Sequence, residues 1–244
     1  MADARVIESV RLSEGLHSLW LEVQGEAVPG QFLHIGCGAG LTLRRPISIC
    51  DACGGAMRVV FEIKGEGTSR LAAARPGDVL DVLGPLGRGF TPPEDGRKLL
   101  LVGGGLGSAP MLLAARTWRC EALLGFASAS RVMLQEEFAA VCPGFVTATD
   151  DGSFGYHGLV TELAAEKLRT GDYSVLACGP NPMLRALAGV CREAGAPLLV
   201  SLERRMGCGV GACLVCSCKD TEGHYRRACK DGPVFDAGEV DWDG

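Results

Sequence analysis

The sequence has no excess of basic charge: 24 lysines and arginines are outnumbered by 29 aspartates and glutamates, leaving a net charge of −5 over 244 residues. A protein that grips nucleic acid through a broad basic surface is therefore not expected, although small anions can still be held locally. An apolar leader is missing as well. The first ten residues, MADARVIESV, carry Asp3 and Glu8 and lack the apolar core of a secretory signal, so a cytoplasmic protein is expected. Long hydrophobic runs are also lacking. The longest uncharged stretch, Leu99 to Ala115, is short for a bilayer and is broken by Gly103, Gly104, Gly105, Gly107 and Pro110, so no membrane association is expected. Aromatic residues are scarce at 6%, but 47% of the chain is apolar and 22% charged, the balance of a folded globular protein. At ~150 residues per domain, the length suits one large domain or two smaller ones, with room for a short appended module.

Cysteine, by contrast, is plentiful, with twelve in all. In a chain without an export signal, thiols stay reduced, and a cluster of them more often holds metal than forms disulfides. Seven are spread over the first 207 residues, whereas Cys208, Cys213, Cys216, Cys218 and Cys229 crowd into a window of 22. The isolated ones, Cys37, Cys50, Cys53, Cys120, Cys142 and Cys191, read as small hydrophobes. In the window, C-x4-C-x2-C is followed after twelve residues by Cys229, the tight triple plus distant fourth of a plant-ferredoxin-type [2Fe-2S] site. Gly207, Gly209 and Gly211 allow the loop to wrap closely and aim backbone N–H groups at the sulfurs. Zinc also accepts four thiolates, but zinc ribbons usually show two C-x2-C knuckles. Cys218 is either a substitute ligand or a thiol that packs nearby.

Up to about Phe90 the chain is a series of short β-type runs, Arg5 to Arg11, Leu16 to Val23, Gln31 to Gly36, Pro46 to Cys50 and Met57 to Lys64, with one helix from Ser69 to Arg75. Gly, Pro and Asp separate the runs, as in a small antiparallel barrel. Pro92-Pro93 and Asp95-Gly96 then punctuate a change of rhythm. Strands are predicted at Lys98 to Val102, Glu121 to Phe126, Phe145 to Thr149, Tyr173 to Cys178 and Pro197 to Ser201. Helices are predicted between them at Ala109 to Trp118, Arg131 to Ala140, Gly158 to Arg169 and Pro182 to Ala194. Such alternation implies a doubly wound parallel sheet with ligand sites at the carboxyl ends of its strands. The expected organisation is a barrel domain over 1–95, an α/β domain over 96–203 and a cysteine module over 204–244.

Three segments have the chemistry of nucleotide sites. Arg44-Arg45-Pro46-Ile47-Ser48 offers an arginine fork for a phosphate and a hydroxyl for a ring nitrogen or carbonyl. Gly65-Glu66-Gly67-Thr68-Ser69 precedes a helix and offers free N–H groups, although an ordinary capped helix start also explains it. Gly103-Gly104-Gly105-Leu106-Gly107-Ser108 follows a buried strand, where missing side chains let a dinucleotide phosphate approach. Ala177-Cys178-Gly179-Pro180-Asn181-Pro182-Met183 and Asp150-Asp151-Gly152-Ser153 end two further strands. Ser128, Ser130 and Arg131 follow the second strand, so NADP is left open beside NAD.

Taken together, RRPIS, GEGTS, VGGGLGSAP and ACGPNPM resemble the ferredoxin reductase family, a flavin barrel followed by a nucleotide domain. With the tail GCGVGACLVC and ACKDGPVFDAGEV added, the chain resembles, nearly end to end, the electron-transfer subunits of NAD-dependent dihydroorotate dehydrogenase. That resemblance implies FAD, a [2Fe-2S] cluster and NAD as cofactors. It implies that Arg45, Pro46, Ile47 and Ser48 hold the flavin and its phosphate, that Val60, Phe61 and Glu62 line the ring, and that Gly67 and Thr68 hold the pyrophosphate. Gly103, Gly104, Gly105 and Gly107 would receive the nicotinamide dinucleotide beside Cys178, Gly179 and Pro180, and Cys208, Cys213, Cys216 and Cys229 would ligate the cluster. It also implies an FMN-containing catalytic subunit as partner, in a heterotetramer of two of each, which would oxidise dihydroorotate for pyrimidine biosynthesis. No residue here would then act as acid or base on that substrate. Two other readings remain at this stage: a diaphorase subunit of a hydrogenase, sulfur reductase or bifurcating transhydrogenase, and a non-catalytic module on a dead reductase fold.

Overall fold

The structure, a computed structural model, describes residues 2–243. Its first part is a closed antiparallel barrel of β1 (Ala2–Ser13), β2 (Leu16–Glu22), β3 (Phe32–Ile35), β4 (Arg45–Cys53), β5 (Ala56–Glu62) and, after the helix α1 (Glu66–Ala72), β6 (Val79–Leu86). Around the wall the order is β1-β2-β5-β4-β3-β6, and β6 pairs back onto β1. Gly54 and Gly55 turn β4 into β5 with φ of 58° and 80°, a two-residue reversal that side chains resist. Leu19, Leu21, Leu33, Ile35, Ile47, Ile49, Val59 and Phe61 fill the interior.

The second part is β7 (Lys98–Gly104), α2 (Ser108–Thr117), β8 (Cys120–Phe126), α3 (Gln135–Val141), β9 (Phe145–Thr149), β10 (Tyr156–His157), α4 (Val160–Thr170), β11 (Tyr173–Cys178), α5 (Asn181–Ala194) and β12 (Leu198–Ser201). A hairpin of β13 (Ser217–Lys219) and β14 (Tyr225–Arg227) follows, then β15 (Val234–Asp236). The main sheet runs β10-β9-β8-β7-β11-β12-β15, parallel throughout except for β15. Its strand order reverses between β7 and β11, so the crevice outside their carboxyl ends is the natural ligand position. Leu100, Leu101 and Val102 of central β7 are fully buried, as a strand covered by helices on both faces must be. On one face the core continues from α2 and α3 into Leu16, Cys50 and Val60 of the barrel, so the two parts share packing. Arg116–Asp51 at 2.9 Å and Arg58–Glu137 at 3.2 Å add ion pairs across the same junction.

Three expectations need correction. The barrel has a sixth strand, β6, whose Asp81, Gly84 and Pro85 hide any alternation; its position is set by pairing to β1 and β3. α1 begins at Glu66 and not at Ser69, because the Thr68 hydroxyl accepts the Lys64 N–H at 2.9 Å and closes the turn early. The helix expected from Arg131 is only α3, starting at Gln135, since Leu134 sits at φ 60° and breaks the backbone path. The tail is joined to both parts: β15 extends the main sheet, and Arg88 of the barrel donates its N–H to the Gly232 carbonyl at 2.6 Å.

Candidate cofactor-binding sites

β4 is held against β3 with His34 opposite Pro46 and Phe32 opposite Ser48. Alternation along the strand sends Ile47 into the barrel core, while Pro46 and Ser48 face a cavity of about 230 Å³. Val60 of the barrel, Leu106, Gly107 and Cys178 of the α/β part, and Arg204, Met206 and Pro233 of the tail complete its walls. All three parts of the chain thus meet at one hole. Phe61 does not reach it, because its ring points into the barrel beside His17. Glu62 turns instead to Arg131 at 2.7 Å and Lys64 at 3.0 Å. Burial alone would raise its carboxyl, but these two cations hold it below its ordinary value.

Arg45 lies over α1. A Cβ on Gly67 would come within 2.7 Å of the Arg45 guanidinium nitrogens, so glycine is what lets the cation sit on this turn. Arg45, Gly67 and Thr68 are therefore brought together from two sequence-distant segments, and Arg45, whose Nη1 donates to the Leu43 carbonyl at 2.6 Å, supplies a cation beside the turn.

In the cysteine loop, backbone N–H groups point at sulfur. Cys208 Sγ accepts from Ala212 at 3.2 Å and Val210 at 3.4 Å, Cys229 Sγ from Gly211 at 3.1 Å, and Cys216 Sγ from the Cys229 N–H at 3.4 Å. Gly209 and Gly211, at φ 74° and 83°, make these aims possible. The Val210 N–H bond, opposed by a small desolvation cost, pulls the Cys208 thiol down to about 6, whereas burial and the adjoining Cys216 push Cys229 up to about 12. The sulfurs associate as two pairs, Cys208 with Cys213 and Cys216 with Cys229. Among the described residues no three Cys, His, Asp or Glu converge on one point. Cys208, Cys213, Cys216 and Cys229 supply the four thiolates that a pair of irons needs. Cys218 stays outside this set: it packs into the sheet core and donates to the Arg226 carbonyl at 3.6 Å.

At the carboxyl end of β7, a Cβ on Gly103 would meet Ser108 Cα at 2.7 Å, and one on Gly107 would run into the Cys178 carbonyl. Gly104 and Gly179 pack against Met183 in the same way. Gly104, Gly105 and Pro180 line a second cavity, of about 470 Å³, whose only charged walls are Arg131 and Asp150. Arg131 is already committed to Glu62, and the Ser128 and Ser130 hydroxyls bond each other at 2.9 Å. Cys178, a wall of the first cavity, is buried and pushed up to about 12 by that burial, so it remains a neutral thiol. A larger cavity, about 1010 Å³, lies at the opposite, amino ends of β7 and β8, lined by Trp118 and the 90–97 linker, and contains none of the residues just described.

No sequence signal marks Arg204, Met206 and Pro233 as walls of the first cavity, or His34 beside it. The Arg204 Nε, the Ser108 hydroxyl and both ring nitrogens of His34 are buried without partners, polar groups left waiting for something. Burial, and then the neighbouring Arg44 charge, keeps His34 below its ordinary value and neutral.

Residues 203–241 match the family model described as the iron-sulfur cluster binding domain of dihydroorotate dehydrogenase B. The chain is 46% identical over 233 residues to the dihydroorotate dehydrogenase B (NAD(+)) electron transfer subunit of Geobacillus kaustophilus, covering 89% of this chain and 88% of the relative. It is 40% identical over 244 residues to the protein of the same name from Caldanaerobacter subterraneus, covering 97% of each. Among solved structures it superposes with TM-score 0.88 and 29% identity on one of the NADH-dependent reduced ferredoxin-NADP oxidoreductase, covering 100% of this chain and 91% of that one. A ferredoxin reductase in carbazole 1,9a-dioxygenase matches at TM-score 0.66 and 21% identity over 80% of this chain and 65% of its own, a likeness of fold alone.

Proposed function

The chain belongs to the electron-transfer subunits of dihydroorotate dehydrogenase B, and from that premise we propose that it relays electrons from a catalytic partner through a [2Fe-2S] cluster and FAD to NAD+. The observation that carries this reading is the 230 Å³ cavity with walls from the barrel, the glycine loop and the tail. When bound, a cluster passes single electrons, a nicotinamide takes a hydride, and a flavin does both, so the flavin belongs at the junction.

The residues divide the work accordingly. Pro46, Ser48 and Val60 wall one side of the ring, Ser48 offering a hydroxyl, and Leu106 with Val60 keeps water out. Arg45, above Gly67 and Thr68, receives the FAD pyrophosphate. Gly107 and the neutral Cys178 wall the other side, and Gly104, Gly105 and Pro180 of the separate 470 Å³ cavity would admit the dinucleotide. Cys208, Cys213, Cys216 and Cys229 hold the cluster, with the surrounding N–H groups stabilising the negative sulfurs. With Arg131 tied to Glu62 and Asp150 beside it, a 2′-phosphate finds no free cation on these walls, which favours NAD over NADP.

Val210, Leu214 and Val215 are 52%, 61% and 58% exposed on the cysteine loop. Apolar residues left in water around a redox centre suit a partner's surface, here an FMN-bearing catalytic subunit in a heterotetramer of two of each. A cytoplasmic location goes with this, and no helix among the described residues is long and apolar enough to cross a membrane.

The close superposition on a bifurcating oxidoreductase favours one second reading, a diaphorase subunit of such an enzyme. Anaerobic purification from the native host, with flavin, iron and mass-spectrometric analysis, separates the two. Co-elution of a dihydroorotate-oxidising flavoprotein is the expected result; co-elution of a hydrogenase or transhydrogenase subunit would replace the pathway, and zinc without flavin would remove both.

A further inference from the structure

His34 stands on β3 opposite Pro46 of the flavin strand, and its ring meets the edge of Phe32, itself a wall of the flavin cavity, at 6.5 Å and 77°. On its other side lies the cysteine loop: a Cβ on Gly209 would come within 2.6 Å of His34 Nδ1. The ring therefore stands between Gly209, the residue after Cys208, and the strand that carries Pro46 and Ser48. It is fully buried, and neither nitrogen has a partner. The backbone groups of Cys208 and Arg44 flank it closely enough to be felt, yet neither reaches bonding geometry.

A neutral imidazole has one donor and one acceptor, and burying both unpaired is costly unless something restores a bond. A cluster bound by four cysteines would draw the loop into a single register, and a small shift brings the Cys208 carbonyl onto the ring N–H. We infer that His34 is a positioning residue which, with the cluster in place, donates this N–H to the Cys208 carbonyl and locks the cluster loop against the flavin strand. This rests on the proposed cofactor content. Its function is to hold the cluster loop and the flavin strand in fixed relation, much as supporting groups behind metal ligands do elsewhere.

The test compares His34→Gln, which keeps an N–H donor, with His34→Met, which keeps bulk alone, in reconstituted protein whose iron and flavin contents are measured first. In His34→Met, flavin reduction by NADH stays at the wild-type rate, the g-values of the reduced cluster shift, and cluster reduction after flavin slows severalfold, because electron transfer weakens as the two centres move apart. His34→Gln restores the spectrum and most of the rate. Should His34→Met fail to fold, pulsed EPR of wild-type protein containing ring-¹⁵N histidine provides the answer. A weak ring-nitrogen coupling that vanishes in His34→Gln supports the lock, and its absence overturns it. Fully loaded variants with wild-type spectra and rates, or equal damage in both, would overturn the role of His34 alone. Wild-type protein without iron or flavin would overturn the function beneath it.

Discussion

At the scale of the residue, the cysteine loop assigns different tasks to similar side chains. Cys208 gathers two N–H groups and Cys213 stands beside it, while Cys218, only two residues beyond Cys216, is turned into the sheet core. Cys213→Ser is therefore expected to abolish the cluster while flavin content is kept, and Cys218→Ser to keep both; iron and flavin analysis of each purified variant checks this. Gly107 supports a second prediction. A methyl there has to displace the Cys178 backbone, so Gly107→Ala is expected to lower stability by about 1–3 kcal/mol and to reduce FAD retention, read by thermal melting and flavin fluorescence. Glu62→Gln releases Arg131 from its partner across the junction. The KM for NADPH is then expected to fall relative to that for NADH, and an unchanged ratio would dismiss the commitment of Arg131 as the source of selectivity.

At the scale of the element, what could be read from the sequence was what is local. The cysteine spacing and the glycine turn after β7 are each encoded within a few consecutive residues, and the structure has that turn where it was expected. β6 and β15 could not be read in this way. A strand interrupted by Asp81, Gly84 and Pro85 becomes a strand because β1 and β3 present free edges to it, and β15 because β12 does. Leu134 likewise takes a left-handed conformation that its own type disfavours, and the burial of its side chain in the core offsets the strain. The cavity proposed for the flavin combines both kinds of information: Pro46 and Ser48 lie in the RRPIS segment singled out in the sequence, whereas Arg204 and Met206 arrive through the tail's path. One element junction has a pH signature. Glu121 of β8 accepts from Lys167 of α4 at 2.5 Å and from Tyr173 of β11 at 2.8 Å. Burial raises its carboxyl, but these bonds outweigh it and leave the group below its ordinary value. The unfolded chain binds that proton at higher pH than the folded one, so the stabilisation is complete above the unfolded carboxylate value and disappears as pH falls through the folded one. Glu121→Gln is expected to flatten the acid side of the stability profile in urea melts, with little change in its slope above pH 6.

At the scale of the whole molecule, barrel, sheet and tail are three structures around one hole, tied by shared core packing, by Arg116–Asp51 and Arg58–Glu137, and by β15 in the main sheet. The tail is thereby fixed to the flavin side of the molecule while its apolar loop faces outward. Leu214→Glu is expected to weaken capture of the catalytic subunit while leaving the visible spectrum of the isolated chain intact, as checked by co-purification and absorbance. The central claim, that one chain joins hydride chemistry to single-electron transfer, is tested most directly by mixing the isolated holoprotein with NADH under anaerobic conditions and following flavin absorbance together with the EPR signal of the cluster. Flavin bleaching followed by a reduced [2Fe-2S] signal is expected, with Cys213→Ser retaining the first and losing the second. Flavin that is not bleached by NADH, or bleaching in cluster-loaded wild-type protein without any cluster signal, would contradict it.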